Sequence, residues 1–190
     1  MKTASRGFAL IEFLIVIAII GSISTLIASI YYAHLRLFGN QNALIDIANQ
    51  NKVILDEVVG QIRQSQSIVT TCTPCNGDTT SQTTIVLRLW PQDTNGDPFD
   101  PQGTNYDYIV YKRDPTDNTK LIKNTYPAAT SSRTSGSRLV ATKISSLQFS
   151  YDNSDPTQAQ QVTITATTST VSFNKNLDIE RSAKAVLRNK

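Results

Sequence analysis

The chain has 190 residues, 39% hydrophobic and 17% charged, with 18 Lys and Arg against 15 Asp and Glu. That length is one domain plus a terminal segment. The formal charge of +3 is slight, and no basic block after residue 30 is dense enough for a nucleic-acid stripe, so nucleic acid is not an expected partner. The single histidine, His34, stands beside the apolar N-terminal run, and the sequence has neither a His/Ser/Asp set nor a phosphate-binding glycine loop; an enzyme is not expected.

In chain order, the first element is a short basic leader, "MKTASRG", followed by residues 8–33, in which Glu12 is the only charge. A helix of that length, about 39 Å at about 1.5 Å per residue, exceeds the hydrocarbon core of a bilayer. One membrane span is expected, and no second run of this kind follows. Lys2, Arg6 and the initiator amine precede the span and only Arg36 follows it closely. The positive-inside rule therefore keeps the N-terminus cytoplasmic and exports the rest. A cleaved secretory signal fits poorly, because the only small-x-small site, Ser22 to Ser24, is followed by further apolar residues. An uncleaved signal anchor is the other reading, but it gives no account of an acid in the span.

Gly7, Phe8, an aliphatic pair at Leu10 and Ile11, and Glu12 at the fifth position after the glycine resemble the class III signal of type IV pilins and pseudopilins. The resemblance implies cleavage after Gly7 by a prepilin peptidase and N-methylation of Phe8, with the apolar helix retained. It also implies a filament in which Glu12 of one subunit pairs with the Phe8 amine of a neighbour and sets axial register. Gly21, Ser22, Ser24, Thr25, Ala28 and Ser29 make a segment where helices can approach closely or loosen, or are simply tolerated in a single span. Ser29 stands near the place where many pilins have proline.

Beyond the span, Leu44, Ile47, Ala48, Leu55, Val58 and Ile62 fall on one helical stripe, with Asp46, Gln50, Asp56, Glu57 and Gln64 opposite. Gly39 and Asn40 suggest a bend between the two helix halves. After Ser67 the pattern changes to short alternating runs: "TIVLRLW" with Ile85, Leu87 and Leu89 on one face, "YDYIVYKR", "KLIKN", "ISSLQFSYD" with Leu147, Phe149 and Tyr151, "QVTITAT", and "TVSFN" with Val171 and Phe173. These predict an antiparallel sheet with one wet face. The expected fold class is α+β, a pilin-like lollipop with a long N-terminal helix packed on that sheet. Its divisions are a leader at 1–7, a transmembrane helix half at 8–33, an amphipathic half at 34–67 and a β-rich exported head at 68–190.

The strand "YIVYKRD", the following "KLIKN", "ISSLQFSYD", a threonine-rich strand and a terminal "AVLRN" are similar to J-type minor pseudopilins of type II secretion and to related minor pilins. This implies a minor subunit, and Glu12 argues against the tip subunit that lacks the acid. The implied partners are other pilins or pseudopilins, the prepilin peptidase, an assembly platform, an ATPase and the lipid bilayer. The rival is a signal-anchored exported binding or adhesin domain that does not polymerise.

Two head-domain motifs are chemically suggestive. Cys72 and Cys75, the only cysteines, would tend to form a disulfide in an oxidising space. Reduced thiols are the alternative, and redox catalysis lacks its βαβ setting. "DTNGDPFD" offers Asp93, Asn95, Asp97 and Asp100 as oxygen ligands for calcium, the one cofactor suggested. A solvated Asn-Gly turn explains the same letters, since Pro98 and Thr104 occupy positions where a calcium loop has Gly and Glu.

Overall fold

The computed structural model describes residues 6–101 and 103–187, with side chains from Leu10 onward. Residues 1–5 of the expected leader lie outside the described residues, as does the side chain of Phe8. The chain forms two compact units, Met1–Asn42 and Ala43–Lys190. One helix, α1 (Arg6–Gln64), contributes to both.

In the first unit, helix is what the sequence demands. A backbone in lipid has no water to bond, so it must satisfy itself. The large apolar side chains from Leu10 to Phe38 are exposed on this part of α1, which is long and apolar enough to cross a membrane. Its hydroxyls follow the same rule. Ser22 Oγ donates to the Ile19 carbonyl, Thr25 Oγ1 to Ser22 and Ser29 Oγ to Leu26, each at 2.8 Å. Polar side chains that bond their own helix carry little of their polarity to the surroundings. Tyr31 and Tyr32 stand at the far end of the run, where an amphipathic aromatic suits the boundary between lipid and water. Gly39 and Asn40 are within the helix, which extends past them to Gln64.

In the second unit, residues 43–64 of α1 turn one stripe inward: Ile47, Ile54, Leu55, Val58 and Ile62 are buried. Leu44, expected on this stripe, is 36% exposed, and Ile54 was not anticipated. The helix ends where Ser65 turns back, its amide and its Oγ both donating to the Ile62 carbonyl at 3.1 and 2.6 Å. Arg63 in the last turn complements the negative end of the helix.

Two antiparallel sheets follow, rather than the single sheet expected. The first is a meander of β1 (Ser67–Ile68), β2 (Thr84–Leu89), β3 (Asp107–Arg113), β4 (Leu121–Tyr126) and β5 (Gly136–Ala141), paired in chain order. The second contains β6 (Ile144–Tyr151), β7 (Gln161–Ser172) and β8 (Lys175–Val186). Period-two alternation sends Ile85, Leu87, Leu89, Ile109 and Tyr111 to the main core. There they meet Ile54, Val58 and Ile62 of α1 and Leu147, Phe149, Val162 and Ile164 of the second sheet. The intervening residues Val86 and Val110 are also buried, in a smaller cluster with Cys72 and Cys75. The expected wet face is therefore partly covered.

The two threonine-rich segments "QVTITAT" and "TVSFN" belong to one twelve-residue strand, β7, and its turn. Phe173, expected in a strand, sits in that turn with Asn174, both at positive φ (46° and 59°). β8 pairs with β7 along its whole length, from Gln161↔Val186 to Ser172↔Lys175.

Candidate functional site

The segment that resembles a class III signal lies on α1. Gly7 and Phe8 are within its helical backbone, and Glu12 is exposed one turn further on. The neighbouring Leu10, Ile11, Phe13, Leu14 and Ile15 are exposed apolar side chains. Among the described residues, none of the ion pairs or hydrogen bonds includes Glu12. An acid on such a surface costs about 2.5–3.5 kcal/mol at the centre of a span on insertion scales and needs a cation or a proton to offset it. The spacing from Phe8 to Glu12, four residues, puts the two positions on one helix face about 6 Å apart along the axis.

Further along the same helix, a second glutamate shows what a satisfied acid looks like. Glu57 Oε1 accepts hydrogen bonds from Arg138 Nη2 at 2.6 Å, Lys123 Nζ at 3.0 Å and Tyr111 Oη at 3.1 Å. Lys123 also donates to Gln61 Oε1 at 2.9 Å. Burial alone would raise the Glu57 pKa, but the bonds and charges of Lys123 and then Arg138 outweigh it and hold the carboxyl below its ordinary value of 4.5. The Tyr111 hydroxyl is driven strongly upward, by burial first and by the Glu57 charge next. These contacts fasten α1 to β3, β4 and β5. The sequence pattern placed Glu57 on the solvated face because a charge at that position ordinarily is solvated.

Asn51 makes a comparable tie to the second sheet. Fully buried, it donates from Nδ2 to the Ala166 carbonyl at 2.7 Å and the Ile179 carbonyl at 3.1 Å. Thr168 Oγ1 donates to the Ile47 carbonyl at 2.9 Å. Lys143 pairs with Asp46, and the Thr142 amide donates to Gln50 Oε1 at 3.1 Å. A third polar centre is Asp107, also fully buried. Its carboxylate accepts from the Ala128 amide at 2.8 Å and Ser131 Oγ at 2.7 Å and pairs with Arg133 Nε at 2.7 Å. It organises the loop before β5.

Cys72 and Cys75 are joined by a disulfide across a short 3-10 turn, Thr73–Cys75. The Cys72 carbonyl accepts from the amides of Cys75 and Gly77, both at 3.2 Å. Asn76 and Gly77 take positive φ to close the turn, where glycine and asparagine are the least strained residues. Both sulfur-bearing residues are almost wholly buried against Val86 and Val110. That placement makes the bridge a staple beneath the outer face of the first sheet, and it denies attack from solvent.

At "DTNGDPFD", Asp93 Oδ1 accepts from the amides of Asn95 and Asp97, both at 2.9 Å, and the Asp93 amide donates to the Asp97 carbonyl at 2.9 Å. Gly96 supplies the positive φ of the turn. The carboxylate thus closes an Asx turn on its own backbone. Among the described residues, no three His, Cys, Asp or Glu side chains come together in a way that could hold a metal. Asp93, Asn95, Asp97 and Asp100 are not brought into a ligand shell.

Comparison with family models, with curated proteins and with solved structures found no match to the chain.

Proposed function

We propose that the chain is a minor pilin or pseudopilin, a structural subunit processed after Gly7 and methylated on Phe8, that assembles into a type IV pilus or type II secretion pseudopilus. The observation that carries this reading is Glu12: an exposed acid on the apolar part of α1, without a partner among the described residues, one turn from the position that cleavage would turn into a cationic amine. A second chain supplies the missing charge if its Phe8 amine lies beside this Glu12. Ion pairing of this kind specifies register more than it adds stability.

The outward face of the following segment supports a helix that packs on its neighbours. Ile45 and Val53 of α1 are exposed apolar side chains in the second unit, eight residues apart, hence on one face. In this reading α1 anchors the chain in the cytoplasmic membrane, with its N-terminus cytoplasmic and its head exported, until an assembly platform and a cytoplasmic ATPase lift it into the filament. The chain itself is structural rather than enzymatic. Its disulfide and its buried ties keep the head rigid during extraction from the bilayer.

Intact-mass and N-terminal analysis of the membrane-extracted chain, coexpressed with a prepilin peptidase, tests the reading. The expected product begins with N-methylated Phe8 and is lost in Gly7→Ala. An unprocessed N-terminus despite active peptidase would leave a signal-anchored binding domain and overturn the pilin assignment.

A further inference from the structure

We infer that a cleft in the second unit, between the last turn of α1 and the loops that follow β2 and precede β5, binds an organic monocarboxylate with an apolar body. The inference concerns this unit alone and is independent of membrane anchoring and of filament assembly.

The cleft has a volume of about 390 Å³, within the range of small-molecule sites. Its walls come from separate parts of the chain: Arg63 from α1, Gln66 from the turn before β1, Leu89 from β2, Trp90 and Pro98 from the loop after it, and Arg133 from the loop before β5. Backbone bonds lock these walls together. The Gln66 amide donates to the Arg88 carbonyl at 2.8 Å, the Phe99 amide to the Pro91 carbonyl at 3.1 Å and the Ser132 amide to the Gln92 carbonyl at 2.8 Å. A site built in this way needs little ordering when a ligand enters.

Charge selects the ligand. Arg63 is exposed and has no ion pair or hydrogen bond from its side chain among the described residues. Arg133 is held by Asp107 at its Nε, which leaves both Nη groups without a partner among the described residues. A guanidinium with free N–H groups matches a carboxylate. No acidic residue lines the cleft. Two guanidiniums less the Asp107 charge leave one net positive charge, which a single carboxylate neutralises and a phosphate dianion oversteps.

The rest of the lining fits the body of such a ligand. Leu89, Trp90 and Pro98 supply apolar surface. Trp90 Nε1 and Gln66 Oε1 are buried with no hydrogen-bond partner among the described residues. Groups left unpaired in this way are costly. Both side chains are half-buried, so a small rotation presents the indole N–H as a donor and the amide oxygen as an acceptor. An acylated amino acid offers the matching C=O and N–H beside its carboxylate.

Trp90 is the only tryptophan, so its single indole N–H resonance reports on the cleft directly. The probes are N-acetyl-leucine, the uncharged N-acetyl-leucinamide, a short peptide ending in leucine with a free carboxylate, and inorganic phosphate, each titrated into the detergent-solubilised full chain. The expected result is a saturable shift of the indole resonance with N-acetyl-leucine, with affinity about tenfold lower or less in Arg63→Gln, which leaves the Asp107–Arg133 pair intact. N-acetyl-leucinamide and phosphate should leave the resonance in place. A peptide that binds about tenfold tighter than N-acetyl-leucine identifies a chain terminus as the source, equal binding identifies a free acid, and either supports the inference. No saturable shift with either carboxylate would overturn it. So would an equal response to the leucinamide or to phosphate, or an unchanged affinity in Arg63→Gln.

Discussion

Glu12 and Glu57 occupy the same helix but opposite chemical situations. Glu57, in the head, gathers a lysine, an arginine and a tyrosine from three strands. Glu12, on the apolar part, has no partner among the described residues. The difference teaches that burial in the head brings partners to an acid, whereas none of the described residues approaches the acid on the apolar part. In water the second acid would need no explanation. On a surface made for lipid it does, because solvation there must come from another group.

The sharpest way to break this comparison is to remove each acid in turn. Glu12→Ala is expected to abolish filament incorporation, at least about tenfold below wild type, if the pair contributes as little as about 1.4 kcal/mol per contact. Membrane insertion and the thermal unfolding of the head should be unchanged. Equal incorporation by wild type and Glu12→Ala, read by immunoblot of sheared filaments, would break the comparison.

Asn51→Leu is the next largest effect and concerns the head alone. It removes two bonds from a fully buried amide, and a loss of about 1–3 kcal/mol is expected in denaturant unfolding of the detergent-solubilised chain. An unchanged midpoint would show that the strand carbonyls do not need this donor.

Glu57→Gln is expected to be milder, about 1 kcal/mol or less at neutral pH, because the site is partly open to solvent and its ions are screened. Its pH dependence is the sharper readout. The folded-state pKa is depressed, so the stabilisation is fully present above the ordinary value of 4.5. It declines as pH falls from there through the folded pKa. Wild type and Glu57→Gln should therefore differ at pH 7 and converge in acid; a gap that widened in acid would contradict the assignment.

Much of the head was legible because alternation and helical spacing are local. Ile47, Leu55, Val58 and Ile62 announce a buried helix stripe, and Ile85, Leu87 and Leu89 announce β2. β5 and β8 were missed for the converse reason. "GSRLVA" and "KNLDIERSAKAV" lie at sheet edges, where exposed and charged residues replace the alternation that marks a half-buried strand. The turn at Phe173 was hidden by its own oddity, since an aromatic reads as strand.

The polar ties were not legible at all. Asn51 meets carbonyls 115 and 128 residues away, and Asp107 meets Ser131 and Arg133 across a loop. No local pattern records such partners. Glu12, by contrast, stood out in the sequence because an acid among isoleucines and leucines contradicts its surroundings wherever the chain folds.

The central claim is that Glu12 meets the Phe8 amine of another chain. The direct measurement is zero-length coupling with a membrane-permeant carbodiimide in membranes where isotopically light and heavy chains have assembled together, followed by peptide mass spectrometry. Amide-linked peptides joining light Glu12 to heavy Phe8, and the reverse, are expected. Glu12 coupled only within one isotope, or modified without ever joining Phe8, would contradict the account.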